Sequence, residues 1–186
     1  MRIIGGSLRG KKILQPENKI TRPLKDLTKE SIFNIIQHSN LFECELSNSK
    51  ILDLFSGVGS FGLECLSRGA KTVIFCENNL TTQDILKKNI VLLECENKSK
   101  IINNDAFEID SIKEIYEQKY EIIFLDPPYK EKNLVNLLKK IINLKLLKKN
   151  GIIILHRHKK EKDNFPENFT VLKEKNYGIS KIIFGN

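Results

Sequence analysis

The chain has 186 residues, 40% hydrophobic and 29% charged, which suits one globular domain with a substantial core and leaves no length for a large separate recognition domain. No apolar run approaches the roughly 20 residues of a membrane span, and Met1-Arg2-Ile3-Ile4-Gly5 lacks a signal-peptide core, so the expected location is the cytoplasm. A formal charge of +8 and an isoelectric point near 9.2 suit a polyanionic partner, because Lys and Arg that neutralise phosphates release counterions.

The basic residues are crowded at the start. Arg2, Arg9, Lys11, Lys12, Lys19, Arg22, Lys25 and Lys29 face only Glu17, Asp26 and Glu30, and Arg157, Lys159, Lys160 and Lys162 form a second cluster. Ile3-Ile4 and Ile13-Leu14 flank Gly5-Gly6 and Gly10, which predicts a small basic hairpin or arm over residues 1–20 ahead of a main domain at 21–186. A helix is expected from Asp26 to about Ser39, with Asp26 as its N-cap.

From Ile51 short apolar runs alternate with longer amphipathic ones, the pattern of a parallel sheet covered by helices. Strands are expected at 50–55, 72–76, 100–103, 121–125 and 151–155, and helices at 60–68, 80–94, 109–117 and 131–145. Two further strands around 170–172 and 182–184 would form an antiparallel hairpin closing the edge of a seven-stranded, mostly parallel, Rossmann-like α/β sheet. Cys44, Cys65, Cys76 and Cys95 make no Cys-x-x-Cys pair, so neither a zinc site nor a disulfide framework is in view.

The first strand, Ile51-Leu52-Asp53-Leu54-Phe55, breaks into Ser56-Gly57-Val58-Gly59-Ser60-Phe61-Gly62. Gly57, Gly59 and Gly62 match the dinucleotide fingerprint, and Glu77 ends the second strand at the spacing of a ribose-binding acid. Those residues alone would suit a nicotinamide enzyme. Asp53 argues otherwise, because a carboxylate beside a pyrophosphate repels it, whereas the ammonium group of S-adenosyl-L-methionine would bind there. Asp105 stands after the third strand, where it could accept from the adenine amine, and Asp126 after the fourth. The expected cofactor contacts are Asp53, Phe55, Gly57, Gly59, Glu77, Asn78, Asp105, Ala106 and Asp126.

Asp126-Pro127-Pro128-Tyr129 follows the apolar run Ile122-Ile123-Phe124-Leu125. Each proline removes a donor and fixes φ, and the residue before a proline is held extended, so Asp126 and the nearby carbonyls form a stiff acceptor surface. Tyr129 adds a flat face for stacking. Acceptors beside an aromatic plate suit the exocyclic amine of a base, such as guanine N2 or adenine N6. Asp126, Pro127 and Tyr129 are therefore the expected catalytic residues.

Together these motifs resemble the RsmD-type 16S ribosomal RNA guanine-N2 methyltransferases of bacteria over nearly the whole chain. The likeness includes the Met1 to Gly10 arm, Arg22-Pro23 through Phe33-Asn34, the Asp53 to Gly59 loop, Ser67-Arg68-Gly69-Ala70, the Asp126 tetrapeptide and Glu174-Lys175-Asn176-Tyr177-Gly178. The resemblance implies a class I S-adenosylmethionine-dependent fold and methylation of a guanine, commonly numbered 966, in the assembled or assembling small subunit. It implies no metal, and a monomer is expected. Arg9, Lys11, Lys12, Arg22 and Lys25 are the expected RNA contacts.

Three positions depart from the family pattern. Leu24 and Leu27 stand where Thr and Arg are usual, so that one expected RNA or phosphate contact is either missing or supplied by Lys25 or Lys29, and His156 ends the fifth strand where many members carry Glu. Competing readings are a DNA adenine-N6 methyltransferase, which the short chain disfavours, and a non-catalytic RNA-binding assembly factor, which the intact tetrapeptide disfavours. A dehydrogenase is disfavoured by Asp53.

Overall fold

Residues 1–16, 24, 26–39, 45–128 and 131–186 are described by the computed structural model. Helix α1 (Asp26–His38) precedes β1 (Lys50–Leu54), α2 (Ser60–Ser67), β2 (Thr72–Cys76), α3 (Leu80–Leu92) and β3 (Ser99–Ile102). Then come α4 (Lys113–Tyr116), β4 (Tyr120–Leu125), α5 (Leu134–Asn143), β5 (Leu147–His158), β6 (Val171–Tyr177) and β7 (Ser180–Gly185). The strands form one seven-stranded sheet in the order β3-β2-β1-β4-β5-β7-β6, parallel except where β7 runs against β5 and β6.

That order is the expected Rossmann-like sheet with a C-terminal antiparallel hairpin. It reverses direction between β1 and β4, the place where open α/β sheets bind ligands beyond the strand ends.

Alternation along the strands divides the core into two layers. Ile51, Val73, Phe75, Ile122, Phe124, Ile152 and Ile154 pack against α1, α2, α3 and the N-terminal arm, while Leu52, Leu54, Ile74, Ile123, Leu125, Ile153 and Leu155 face the α4 and α5 side. On α5 the apolar stripe is Leu134, Leu137, Leu138 and Ile141, the spacing of a helix with one buried side. The helix expected at 109–117 is instead a 3₁₀ turn over Ala106–Ser111 followed by the one-turn α4. Its buried residues explain this: Ile109, Ile112 and Ile115 recur every third position, matching a three-residue turn rather than one of 3.6.

The arm folds back on the domain. Arg2 bridges Lys12, the Ile3 amide donates to the Lys11 carbonyl at 2.9 Å, and Ile3 and Ile13 are buried in the first core layer. Glu64 of α2 fastens it: its two carboxylate oxygens accept from the Ile4 and Gly5 amides, each at 2.8 Å, and from Arg68 Nε at 2.8 Å. Lys29 of α1 completes the knot, donating to the Arg2 carbonyl at 2.7 Å and pairing with Glu64 at 3.4 Å with both side chains fully buried. Burial holds its ammonium below the usual lysine range, outweighing the attraction of Glu64.

The possibility that Lys29 touches RNA is therefore excluded: its charge is spent inside the protein. Leu24 is likewise a core residue, whereas Leu27 is exposed.

Removing Glu64 would strand a buried ammonium and two amides. Glu64→Ala should lower unfolding free energy by about 3–5 kcal/mol, read from urea denaturation, and should speed hydrogen exchange at Ile4 and Gly5 far more than in the core strands.

Candidate active site

Strands β1, β2 and β4 stop side by side, with Leu54 paired to Cys76 on one side and to Leu125 on the other. Side chains alternate along a strand, so Asp53, Glu77 and Asp126 emerge on the same face of this common edge. The loop after β1 then turns sharply, with Phe55, Gly57 and Gly59 at φ of 60°, 56° and 86°. A positive φ is unusual for Phe and marks a constrained site.

The three glycines do different work. A Cβ at Gly59 or Gly62 would collide with Leu86 or Phe75, so these two permit close packing of α2 and α3 on the sheet. At Gly57 a Cβ would meet nothing, so this backbone faces open space where a ligand can approach it.

The acids organise the loop. Asp53 Oδ2 accepts from the Gly62 amide at 2.9 Å, and Glu77 accepts from the amides of Gly57 at 2.8 Å and Asn79 at 2.9 Å. Gln83, buried on α3, donates to the Glu77 carbonyl at 2.6 Å and to Asn103 Oδ1 at 2.7 Å, joining the ends of β2 and β3. Asn89 donates to the Val58 carbonyl at 3.0 Å and to the Leu14 carbonyl at 3.1 Å, so one amide ties the glycine loop to the arm. Asp105 caps the 3₁₀ turn through the Phe107 amide at 3.0 Å, and the Phe107 ring meets Phe55 edge-on at 5.4 Å. The half-buried pair makes an aromatic corner beside the acids, able to take a planar ring. Ala106 is buried and Asn78 is exposed.

Burial pushes the Asp53 carboxyl well above the usual carboxylate range, and the charges of Asp126 and Glu77 push the same way, against a partial offset from the Gly62 amide. A positive charge placed beside these acids would relieve that repulsion. The Ser56 hydroxyl at the head of the loop is buried without a hydrogen-bond partner among the described residues, a further group available to a ligand.

At the end of β4, Asp126 Oδ1 accepts from His156 Nδ1 at 2.8 Å, and His156 Nε2 lies 2.9 Å from Ser180 Oγ. Arg157, the next residue on β5, projects from the opposite face and donates to the carbonyls of Pro128 at 3.3 Å and Glu131 at 3.2 Å. It is held by Asp163 at 2.7 Å, which also pairs with Lys181 at 2.8 Å. Arg157 therefore does not belong to a solvated basic cluster. It is a buried brace spanning the segment that contains Tyr129, which itself lies outside the described residues.

Arg9, Lys11 and Lys12 are exposed on the arm, while Arg22 and Lys25 lie outside the described residues. Three of the four cysteines are described, and all are buried. Burial raises the Cys76 thiol to about 12, and Cys65 and Cys95 are also raised, which unsuits them as nucleophiles. The described residues contain no cluster of metal-ligating side chains and no helix long and apolar enough to cross a membrane.

A family model described as Conserved hypothetical protein 95 matches residues 1–186. Ribosomal RNA small subunit methyltransferase D of Haemophilus influenzae is 37% identical over 186 residues, spanning 96% of this chain and 90% of that protein.

The chain belongs to the RsmD family.

Among solved structures, a candidate methylase of Haemophilus influenzae superposes with a TM-score of 0.75 at 34% identity, covering 99% of this chain and 96% of that one. A more distant protein, at 17% identity and a TM-score of 0.63, shares the fold over 86% of this chain and 49% of its own, and was crystallised with S-adenosylhomocysteine. The fold is thus that of the S-adenosylmethionine-dependent methyltransferases, and kinship with RsmD proteins supports methylation of ribosomal RNA as the activity. The site fits the expected cofactor, S-adenosyl-L-methionine, which combines a cationic centre, a ribose and a planar adenine. Sequence reasoning missed Phe107 and Gln83 at this site and noted His156 only as a departure from the family pattern, without a role. Of these, only Phe107 carried a local signal, an aromatic two residues beyond Asp105.

Two outcomes follow from this geometry. Gly57→Ala should weaken cofactor binding by at least about tenfold, or 1.4 kcal/mol, by isothermal titration. Gly178→Ala, at a similar φ of 59° with equally open space but in the β6–β7 turn, should lower the melting midpoint without changing cofactor affinity. For Asp53 the folded pKa lies above its ordinary 3.8, so its stabilising contribution is complete below that pH and is lost as pH rises through the folded value. Asp53→Asn should accordingly raise the melting midpoint by about 2–4 °C at pH 8 and by less at pH 4, while weakening cofactor binding.

Proposed function

We propose that this protein transfers a methyl group from S-adenosyl-L-methionine to the exocyclic N2 of a guanine in 16S rRNA, the guanine at position 966, in the assembled or assembling small subunit. It works in the cytoplasm as a monomer. The observation that carries this reading is the placement of Asp126 on the same strand-end face as Asp53 and Glu77, with one of its oxygens already held by His156. A cation pocket and an amine acceptor thus share one mouth.

Bound S-adenosyl-L-methionine supplies the electrophilic methyl carbon. The amine lone pair of guanine is delocalised into the ring, so the protein must turn it toward that carbon. Asp126 and the Pro127 carbonyl accept the two N–H donors, localising the lone pair, and orientation of this kind supplies several kcal/mol of barrier reduction. Tyr129 is assigned the stacking face for the flipped base, a contact worth about 1–3 kcal/mol. As the N–C bond forms and the S–C bond breaks, the surplus proton leaves the amine for water or, transiently, Asp126.

Arg9, Lys11 and Lys12 stand exposed on the docked arm, and Arg22 and Lys25 extend the same basic stretch of sequence. They hold phosphates, which positions the RNA without reading its bases. The small-subunit assignment is supported by the name of the Haemophilus influenzae relative. The guanine N2 assignment follows from the match of the Arg22-Pro23 segment and the C-terminal Asn176-Tyr177-Gly178 to the family pattern.

The test supplies labelled S-adenosyl-L-methionine with small subunits, naked 16S rRNA or DNA, and digests the product to nucleosides. Label in N2-methylguanosine is expected; label in N6-methyladenine, or none in RNA, refutes the proposal. Asp126→Ala should keep cofactor affinity within about threefold and lose transfer by about 100-fold or more. Lys11→Ala and Lys12→Ala should each weaken RNA binding regardless of sequence and reduce its salt slope by about 1.

A further inference from the structure

The proposed amine clamp has a back wall. His156 donates from Nδ1 to Asp126 Oδ1 at 2.8 Å, and its side chain is only 6% exposed while that of Asp126 is 23% exposed. The imidazole is pinned at its other end by Ser180 Oγ, 2.9 Å from Nε2 and itself buried. Ser180 comes from β7, which pairs antiparallel with β5 through His158↔Ser180 and His156↔Ile182, so both ends of the ring are referred to the sheet. A hydroxyl donates or accepts with equal ease, which lets Ser180 hold the ring whichever way its protons are arranged.

The geometry points to His156 as a positioning residue for methyl transfer: by engaging Asp126 Oδ1 it fixes the plane of the carboxylate and leaves Oδ2 as the oxygen that meets the substrate amine. This inference rests on the amine-methylation reading above. Torsion about the last bond of an aspartate is broad rather than confined to three wells, so an unbraced Asp126 would sweep both oxygens across the mouth. Two equivalent acceptors in a rotating carboxylate would compete for the same N–H and leave the lone pair poorly aimed. One occupied and one open oxygen define a direction. The role differs from that of Arg157, which braces the backbone after Asp126, whereas His156 aims the side chain itself.

Three variants separate aiming from packing. The amide nitrogen of Asn in His156→Asn reaches roughly the place of Nδ1 and keeps the donor to Asp126. In His156→Gln the amide reaches the place of Nε2, keeping Ser180 and abandoning Asp126, and His156→Leu abandons both. Methyl transfer into small-subunit RNA is measured at varied RNA and cofactor concentrations, beside melting midpoints and cofactor affinity.

Expected are a fall in kcat of about 10–100-fold for His156→Gln and His156→Leu, as for small misplacements of reacting groups, with RNA KM and cofactor affinity within about threefold. His156→Asn should recover kcat to within about fivefold of wild type. A His156→Leu enzyme with wild-type kcat overturns the inference, as does an equal fall for all three variants that tracks their melting midpoints. A wild-type protein that methylates no RNA refutes the proposed function and this inference together; an active wild type with an indifferent His156 refutes this inference alone.

Discussion

In-register parallel pairing of β1, β2 and β4 is the constraint on which the rest of the molecule depends. Because Leu54, Cys76 and Leu125 lie abreast, and because side chains alternate, three carboxylates from distant parts of the chain are delivered to one face of one edge. Bringing Asp53, Glu77 and Asp126 together is electrostatically unfavourable, adding to the burial that chiefly raises the Asp53 carboxyl. The repulsion is tolerated because the acids also have structural duties: Asp53 and Glu77 close the glycine loop by accepting from Gly62 and Gly57. The same arrangement that opposes folding prepares a seat for a cationic ligand.

A net charge of +8 conceals a division of labour. Positive charge is exposed on the arm at Arg9, Lys11 and Lys12, where phosphates can be met, while negative charge converges at the strand ends. Two of the most conspicuous basic residues serve neither surface: Lys29 is neutralised inside the Glu64 knot and Arg157 inside the Asp163 brace. Both convert charge into position. One fastens the arm and the other steadies the backbone after Pro128.

Local patterns were readable from the chain wherever neighbours in sequence do the work. The parallel strands, the glycine loop and the Asp126 tetrapeptide announce themselves through apolar runs and punctuation by Gly and Pro, and the mostly parallel sheet followed from their alternation with helices. The 109–117 segment misled because Ile109, Ile112 and Ile115 resemble part of a helical stripe until their spacing of three is weighed against that of 3.6. The partners of His156, Gln83 and Asn89 were illegible for another reason. They lie 30, 20 and up to 75 residues away, so each of the three looks like an ordinary polar residue until the sheet closes. The same is true of Lys29, whose partner Glu64 sits on a different helix.

Adjacent residues on β5 serve the tetrapeptide from opposite faces, His156 through the Asp126 carboxylate and Arg157 through the Pro128 carbonyl. A strand cannot slide by one residue without exchanging its faces. Removing one residue of β5 on the N-terminal side of this pair would bring the guanidinium to the place that faces Asp126, and adding one would bring the imidazole to the place beside Asp163, even with every amino acid otherwise intact. This stretch therefore has a stricter tolerance for length than for chemistry. Among descendants of this chain, a replacement at position 156 that keeps the donor to Asp126 is compatible with the site, whereas single-residue insertions or deletions between Gly151 and His156 are not.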